Sequence, residues 1–397
     1  MVRPRARPGA SATAFGPVTR ARPDVVLVTA GRLFHPRSHH LLARGLVDAG
    51  LDAVEIGQAH ARGKQHTTPV PTLALPASPR RVGRMARGPF ALLRALSLRP
   101  ALLQINSLEL LPWSVIVRAV ARVPTIYDSR EDYAAYMLIR SRTPARTRPL
   151  LSAIVARAEP WLAGHLDAVV TADAGTADKF RGRTRVLTVH NFPSRGVVVA
   201  KASDEAHHDV TYHGTVAAYH FEHIIATACA LRDRGREARW CIAALEPSPS
   251  DMARFEYRLR EAGLLRFFTL LHDVPHPEIP ALVGASRIGF IPLPDELKFH
   301  RNIPMKLFEF LAAGRPAVVS DFPPIRRLVG DHECCLLVPP GDVLAYAEAI
   351  AALLSDPARA SAMGERGRTL IFEELNAERE LEPYVELCRN LIEGRRE

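Results

Sequence analysis

The 397-residue sequence has few cysteines and no recognisable metal-binding pattern. Its five cysteines form no C-x-x-C pair, and its histidines form no H-E-x-x-H motif. An odd, dispersed set of cysteines predicts reduced thiols in a cytoplasmic protein, because a disulfide framework or a zinc site needs defined spacings. The cluster of His35, His39 and His40 is better explained as the entry to a helix than as a metal site.

Long apolar runs are also missing. No run reaches the roughly 18–20 residues that span a bilayer, although 47% of the residues are hydrophobic. The first 23 residues contain five arginines and no acid, and they lack the apolar core of a secretory signal. We therefore expect a disordered basic tail over residues 1–23, ahead of a globular chain.

Charge is unevenly divided along the chain. Residues 1–200 hold 29 lysines and arginines against 12 acids, a net +17, whereas residues 201–397 hold 23 against 30, a net −7. A basic first half predicts an anionic partner, which could be nucleic acid, a membrane surface or a phosphorylated acceptor. Recognised nucleic-acid modules and basic-aromatic interleaving are both missing, so we expect no nucleic-acid partner.

Two short stretches are also consistent with binding to a membrane surface. Residues 80–99 mix six arginines with apolar residues, and residues 140–148 repeat this composition more briefly. Such a mixture is typical of a basic amphipathic segment that lies on the anionic inner face of the cell membrane. Interruption by Gly83, Gly88 and Pro89 slightly favours ordinary helices packed against a sheet.

The order of strands and helices predicts two α/β domains. A chain of this length exceeds one hydrophobic core, and its opening alternates strand, loop, helix and strand, as in a parallel doubly wound sheet. The G-x-G-x-x-G dinucleotide fingerprint does not follow the first strand. Buried strands are predicted at 24–29, 52–56, 101–105, 125–127, 168–171, 186–189, 210–213, 238–243, 267–271, 287–292, 316–320 and 335–338.

Polar residues follow several of these strands at their carboxyl ends, the edge where open α/β sheets bind ligands. In the first half they include Asn106 and Glu109 after one strand, and Asp128, Arg130 and Glu131 after the next.

The stretch 302–321 combines a short helix with a buried strand. Pro304 suits the first helical position, and Gly314 suits the left-handed residue that ends a helix. Lys306 and Glu309 are three residues apart and so share one helix face. Taken alone, this pair is as consistent with a solvated ion pair as with an anion site.

Several short motifs in a fixed order resemble the family 4-like retaining glycosyltransferases of bacteria, which have the GT-B fold. The most specific runs from Ile303 to Asp321, and Leu336–Asp342 follows it. Tyr127–Asp132, Leu103–Pro112 and Tyr212–Thr215 are similar to further family motifs. The resemblance implies an α/β protein of two doubly wound Rossmann-like domains that face a central cleft.

By that resemblance, the chain divides into a first domain (24–193) that binds the acceptor, a linker (194–208), and a second domain (209–370) that binds a nucleotide-sugar. The helix in 371–397 would pack back on the first domain. Gly214, Thr215, Lys306, Leu307 and Glu309 would bind the donor nucleotide.

The resemblance also implies an acceptor site in the first domain and catalysis in the cleft. Its predicted acceptor-binding residues are Arg37, Glu109, Asp128, Arg130 and Glu131, and its predicted catalytic residues are Asn106, Arg301 and Lys306. No D-x-D motif occurs, so no obligatory metal or other cofactor is expected besides a UDP-, GDP- or dTDP-sugar co-substrate. The acceptor would be a sugar, a lipid-linked molecule or a small secondary metabolite.

Four polar positions depart from the family pattern. Arg301 stands where the family commonly has an acid, Asn106 and Arg130 stand where it has histidines, and Tyr219-His220 replace a basic pair. Arg301 could replace the missing cation, and Arg130 could hold an anionic acceptor. The departures also leave open a degenerate GT-B protein that binds a sugar nucleotide as a partner or scaffold.

Overall fold

The structure is a computed structural model. It describes residues 22–59, 69–76, 83, 86–139, 143–196, 206–214, 218–244, 249–272, 274, 278–297 and 299–395. The predicted basic tail lies outside these residues apart from residues 22 and 23. The same holds for Thr215 and for much of the predicted linker, so the linker's boundaries stay a prediction.

The first half folds into a seven-stranded parallel sheet in the order β3-β2-β1-β4-β5-β6-β7. Its strands are β1 (Val25–Arg32), β2 (Ala53–Gln58), β3 (Thr72–Leu75), β4 (Leu102–Ile105), β5 (Thr125–Ser129), β6 (Ala168–Thr171) and β7 (Arg185–Thr188). The order reverses between β1 and β4, which is the topological switch point of a doubly wound sheet.

The second half forms a six-stranded parallel sheet in the equivalent order β10-β9-β8-β11-β12-β13. Its strands are β8 (His208–Gly214), β9 (Trp240–Ala244), β10 (Phe268–His272), β11 (Ser286–Ile291), β12 (Ala317–Ser320) and β13 (Cys335–Val338). Its switch point lies between β8 and β11.

Helices cover both sheets. In the first half the described α-helices are Arg44–Asp48, which a π-helix over Pro36–Ala43 precedes, Gly88–Ser97, Leu111–Ala121, Tyr133–Ile139, Arg148–Ala163 and Ala174–Ala177. In the second half they are Ala218–Asp233, Pro249–Glu261, Ile279–Gly284, Met305–Ala312, Pro323–Val329, Val343–Ser355, Pro357–Glu373 and Ala377–Glu393. We call Met305–Ala312 the cleft helix and Ala377–Glu393 the C-terminal helix.

The first sheet has a core on each face. One core contains Val25, Leu27 and Leu42 together with Tyr384 and Leu387 of the C-terminal helix. The other core lies under the helices that follow β3, β4 and β5. Because strands buried on both faces cannot alternate apolar and polar residues, they read as continuous apolar runs in the sequence.

The fold class predicted from the sequence is confirmed, as two doubly wound α/β sheets of the GT-B type. One local prediction was wrong: Pro304 is the residue before the cleft helix rather than its first residue. The edge strand β3 lies where no strand was predicted, and the first helix begins as a π-helix. Among the described residues no helix has the length and hydropathy needed to cross a bilayer.

Candidate active site

The switch point of the second sheet is built around a glycine. β8 ends at Gly214, whose φ of +117° lies in a region that residues with a Cβ rarely adopt. A Cβ at this position would also lie 3.3 Å from the Nζ atom of Lys306. Gly214 therefore supplies both the backbone turn and the space that the lysine ammonium group occupies.

The cleft helix is held against the second sheet by its apolar side. Leu307, Phe308, Phe310 and Leu311 are all buried, and Gly314 ends the helix with a φ of +68°, as expected from the sequence. Leu307, predicted to bind the donor, has no exposed surface, and its N–H donates to the carbonyl of Pro304 at 3.1 Å. This anchoring fixes where the first turn of the helix meets Gly214.

Lys306 lies in that first turn with its Nζ atom 3.9 Å from the centroid of the Tyr212 ring, a cation–π contact. Within the described residues its ammonium group has no hydrogen-bonded acceptor. Burial lowers the pKa of Lys306 from 10.5 to about 7, while the nearby Glu309 carboxylate partly opposes this shift. A partly enclosed cation without a hydrogen-bonded acceptor, at a helix N-terminus, is suited to an anion such as a diphosphate.

Glu309 follows one turn later on the same side of the cleft helix. Its Oε2 atom lies 3.3 Å from Nε2 of His213, a buried histidine in β8 whose ring packs 5.2 Å from that of Phe310. This contact orients the carboxylate next to Gly214. A carboxylate accepts two hydrogen bonds at once, so it can receive both hydroxyls of a ribose.

At the corresponding edge of the first sheet, Arg37 forms a buried ion pair. Its Nε atom donates to Oδ1 of Asp128 at 2.8 Å, and its Nη1 atom donates to the Val189 carbonyl at 2.6 Å and to Oδ1 of Asn191 at 2.8 Å. Arg37 thereby links the first helix, β5 and the segment after β7. Both partners are fully buried, so removing either would leave an uncompensated charge in the protein.

Asn106 stands beside this pair at the end of β4. Its Oδ1 atom accepts from Gln104 at 2.9 Å, and Oε1 of Gln104 accepts from the Tyr384 hydroxyl of the C-terminal helix at 2.6 Å. Within the described residues, three buried polar atoms have no hydrogen-bond partner here: Nδ2 of Asn106, Oδ2 of Asp128 and Nη2 of Arg37. Such atoms cost roughly 1–3 kcal/mol each when unsatisfied, so a hydroxyl-bearing ligand that paired with them would be stabilised.

The remaining predicted acceptor residues lie around the same edge. Arg130, directly after β5, lies next to Tyr133. Arg130, Glu131 and Glu109 are all half-buried. His35 lies near Arg130 and Arg37, and partial desolvation together with these two cations lowers its pKa. His35 also accepts from the N–H of Arg37 at 3.2 Å, which confirms its predicted place at a helix entry.

Arg301 crosses from the second half of the chain to the first. Its guanidinium group pairs with the buried carboxylate of Asp132, and its backbone packs against Gly175, where a Cβ would lie 3.1–3.2 Å from Arg301 atoms. The structure therefore places it across the cleft and does not bring it to Lys306. Its predicted role as a cation for the donor requires the pair with Asp132 to open.

A cavity of about 850 Å³ lies where both halves meet. It is lined by the first helix, by residues 191–196, by one side of the cleft helix and by the C-terminal helix. Arg37 from the predicted acceptor set and Glu309 from the predicted donor set both face it, whereas Lys306 and Gly214 do not line it. Within the described part of the chain, no group of three or more His, Cys, Asp or Glu side chains is arranged to hold a metal ion.

Sequence reasoning missed four residues that position the site. Tyr212 and His213 immediately precede Gly214 and contact Lys306 and Glu309, so their place next to the glycine was an available signal. Asp132 lies within the motif that starts at Tyr127, and its partner Arg301 is 169 residues away. The Tyr384 contact spans 280 residues and carries no local signal.

The two doubly wound sheets have the arrangement of the GT-B fold, which the solved structures described below share. Residues 207–356 match the family model described as "Glycosyl transferases group 1". The match lies in the second half of the chain, and the recognition of a GT-B glycosyltransferase from the sequence is confirmed at this level.

Two curated relatives come from Streptomyces kanamyceticus. A 2-deoxystreptamine glucosyltransferase is 27% identical over 154 residues, 39% of this chain and 38% of the relative. An alpha-D-kanosaminyltransferase is 26% identical over 162 residues, 41% of this chain and 40% of the relative. The match thus spans about two fifths of each relative's length.

Solved structures are similar over nearly the whole fold. Sucrose-phosphate synthase from Thermosynechococcus elongatus superposes with a TM-score of 0.72 at 17% identity, covering 94% of this chain and 100% of that one. HepE from Anabaena, solved in complex with UDP and glucose, gives 0.68 at 13% identity, covering 92% and 99%. At these identities the likeness establishes the fold.

Proposed function

We propose that the protein transfers a sugar from a nucleotide-sugar donor to a hydroxyl group of an acceptor, with retention of anomeric configuration. The observation that carries this proposal is the partly enclosed Lys306 ammonium group, which lies beside Gly214 at the second switch point. A lysine at that place is suited to a diphosphate, and the family match of the same domain supports a leaving-group role for that diphosphate.

In this mechanism the donor diphosphate lies against Gly214 and the first turn of the cleft helix. Lys306 neutralises the charge that develops on the leaving diphosphate as the glycosidic bond breaks, which is the largest contribution such a site makes. Glu309, oriented by His213, accepts from the ribose hydroxyls. The leaving diphosphate itself assists attack on the same face of the sugar, so no protein nucleophile and no metal are required.

The acceptor binds at the facing edge of the first sheet. There the unpaired Asn106 Nδ2 and Asp128 Oδ2 atoms can hydrogen-bond to acceptor hydroxyls, and Arg130 can hold an anionic group. Arg37 orients Asp128 and Asn191, which makes it a positioning residue rather than a direct ligand. Closure of the two domains would exclude water and limit donor hydrolysis.

The names of the relatives and structural neighbours support one donor nucleotide and one class of acceptor. One structural neighbour, HepE, is solved with UDP and glucose, with UDP and with UDP-glucose, which supports UDP as the donor nucleotide over GDP or dTDP. The curated relatives are named for glucosyl and kanosaminyl transfer, which supports a secondary metabolite as acceptor beside the glycan and glycolipid alternatives. Five free cysteines support a reducing, cytoplasmic location.

A thermal-shift series with UDP-, GDP- and dTDP-sugars tests the donor, since a ligand at 100 times its Kd adds about 2.7 kcal/mol of stability. We expect one base to give this shift. Incubating the preferred donor with aminocyclitol, glycan and lipid-linked acceptors, and following the anomeric proton by nuclear magnetic resonance, tests turnover and retention. An inverted product would overturn the proposed stereochemistry.

The second candidate, a degenerate GT-B protein that binds a sugar nucleotide without transfer, is favoured by the engagement of Arg301 with Asp132. Arg301→Ala and Asp132→Asn test whether Arg301 acts on the donor in an active transferase. If Arg301 supplies a cation to the donor, the alanine variant loses roughly 100-fold in kcat/KM, whereas Asp132→Asn keeps most activity. Transfer by the wild-type protein, or slow donor hydrolysis, would rule out the degenerate alternative.

A further inference from the structure

One face of the first half of the chain carries exposed apolar side chains at unusual density. Among the described residues thirteen large hydrophobic side chains are exposed, and ten of them lie on the helices Gly88–Ser97, Leu111–Ala121, Tyr133–Ile139 and Arg148–Ala163. We call these four helices the basic apolar face. Its most exposed members are Val120 at 80%, Leu150 at 65%, Leu93 at 63%, Trp161 at 60%, Phe90 at 59% and Ile116 at 54%.

These side chains point away from the sheet. The opposite sides of the helices, including Leu92, Leu111 and Ala163, are buried in the core over β1, β4 and β5. The exposed residues therefore take no part in this core. A contiguous apolar surface of this kind marks an interaction site.

The charges on the same helices are of one sign. Their sequences contain four arginines and a single acid, Glu159, which is buried and bonded to Tyr127, Ser129 and Lys179. Arg94 and Arg157 are exposed, and so are the flanking Arg87, Arg122 and Arg146. The face is thus apolar and cationic, with no exposed carboxylate within its four helix ranges.

The combination of exposed apolar side chains and arginines indicates which partner binds this face. Two copies of the face would bring arginines against arginines without opposing acids, which disfavours self-association. Apolar side chains interspersed with arginines along helices that lie parallel to a surface are suited to the headgroup layer of an anionic bilayer. Trp113 and Trp161 add the amphipathic rings that favour that layer.

A second cavity, of about 280 Å³, extends this apolar character inward. On one side it is lined by Phe90 of the face and by the flanking Arg87, and on the other by Thr29 and Ala30 near the carboxyl end of β1. The cavity therefore lies between the face and the edge where the acceptor is proposed to bind.

We propose that the basic apolar face docks the protein on an anionic phospholipid membrane. The proposal does not depend on the transfer reaction, since the face lies outside the donor site. It assigns a membrane contact to the helices after β4 and β5 as well as to the helix Gly88–Ser97.

Sedimentation with vesicles tests the docking. We expect the full-length protein to bind phosphatidylcholine vesicles containing about one third phosphatidylglycerol, to bind pure phosphatidylcholine weakly, and to release as salt rises. Val120→Glu and Ile154→Glu should each lower the partition coefficient roughly tenfold, because each removes apolar burial and adds a repelled charge. Brominated lipids should quench Trp161, whereas Trp240, which lies in β9 and is buried in the core of the second half, should not respond.

The matched control is Leu344→Glu, which places the same charge at a 58% exposed leucine of the second half. It should bind vesicles as the wild type does. Failure of the wild type to bind anionic vesicles at low salt overturns the proposal, as does an equal loss in the control. Light scattering that shows a dimer dissociated by Val120→Glu, without vesicle binding, would instead assign the face to self-association.

Discussion

The affinity for a nucleoside diphosphate is expected to fall roughly tenfold per pH unit as the pH rises above about 7. In the unliganded protein Lys306 loses its proton near pH 7, because burial lowers its pKa. A diphosphate binds the protonated ammonium group and raises that pKa again, so binding above pH 7 must also take up a proton. Calorimetric titration with UDP between pH 7.5 and 9.5 measures the slope.

The sign of the pH dependence follows from the linkage between protonation of Lys306 and folding. A lysine whose pKa is lowered in the folded state holds its proton less tightly than in the unfolded chain. The stability of the unliganded protein should therefore rise between about pH 7 and pH 10.5 as far as Lys306 contributes, while diphosphate affinity declines. Lys306→Arg is the control, since a guanidinium group stays charged over this range and should give a flat profile. The same slope in wild type and Lys306→Arg would show that another group titrates.

Replacing Gly289 by alanine is expected to lower the free energy of unfolding by about 2–3 kcal/mol. Gly289 lies in β11, and a Cβ there would approach three ring atoms of Phe310 at 2.4–2.7 Å. Because Phe310 anchors the cleft helix and the strand is central, the clash must shift the helix that carries Lys306 and Glu309. We therefore expect weaker UDP binding as well as a lower unfolding midpoint in denaturant.

Gly284→Ala provides the matched control. Gly284 ends a neighbouring helix, and a Cβ there meets nothing within 4 Å. Its free energy of unfolding should change by less than about 0.5 kcal/mol. If Gly289→Ala is equally neutral, or destabilises the protein while leaving UDP affinity unchanged, the sheet contact does not position the donor site.

The sequence predicted those parts of the fold that depend on local pattern. Short apolar runs located β6 and β13 at the residues where the structure has them. The edge strand β3 was not predicted, because it is partly exposed and lies within a proline-rich stretch. An edge strand pairs on one side only, so its sequence carries a weaker apolar signal.

The candidate site was likewise predictable only where it depends on local sequence pattern. Helical spacing placed Lys306 and Glu309 on one face, and the family resemblance pointed to Gly214, whose positive φ the structure then showed. Spacing could not show that Arg301 reaches Asp132, or that Tyr384 supports Asn106 through Gln104. Those contacts join residues that only the packed domains bring together.

The central claim is that the second switch point binds the diphosphate of a nucleotide-sugar through Lys306. The most direct test is a calorimetric titration of UDP at pH 7 into the wild-type protein and Lys306→Gln, with Lys179→Gln as a lysine control in the first half. The account predicts UDP binding to wild type and control, and a loss of about tenfold or more in Lys306→Gln, since a charge-assisted hydrogen bond contributes roughly 1.5–3 kcal/mol. Equal UDP affinity in all three proteins would contradict it.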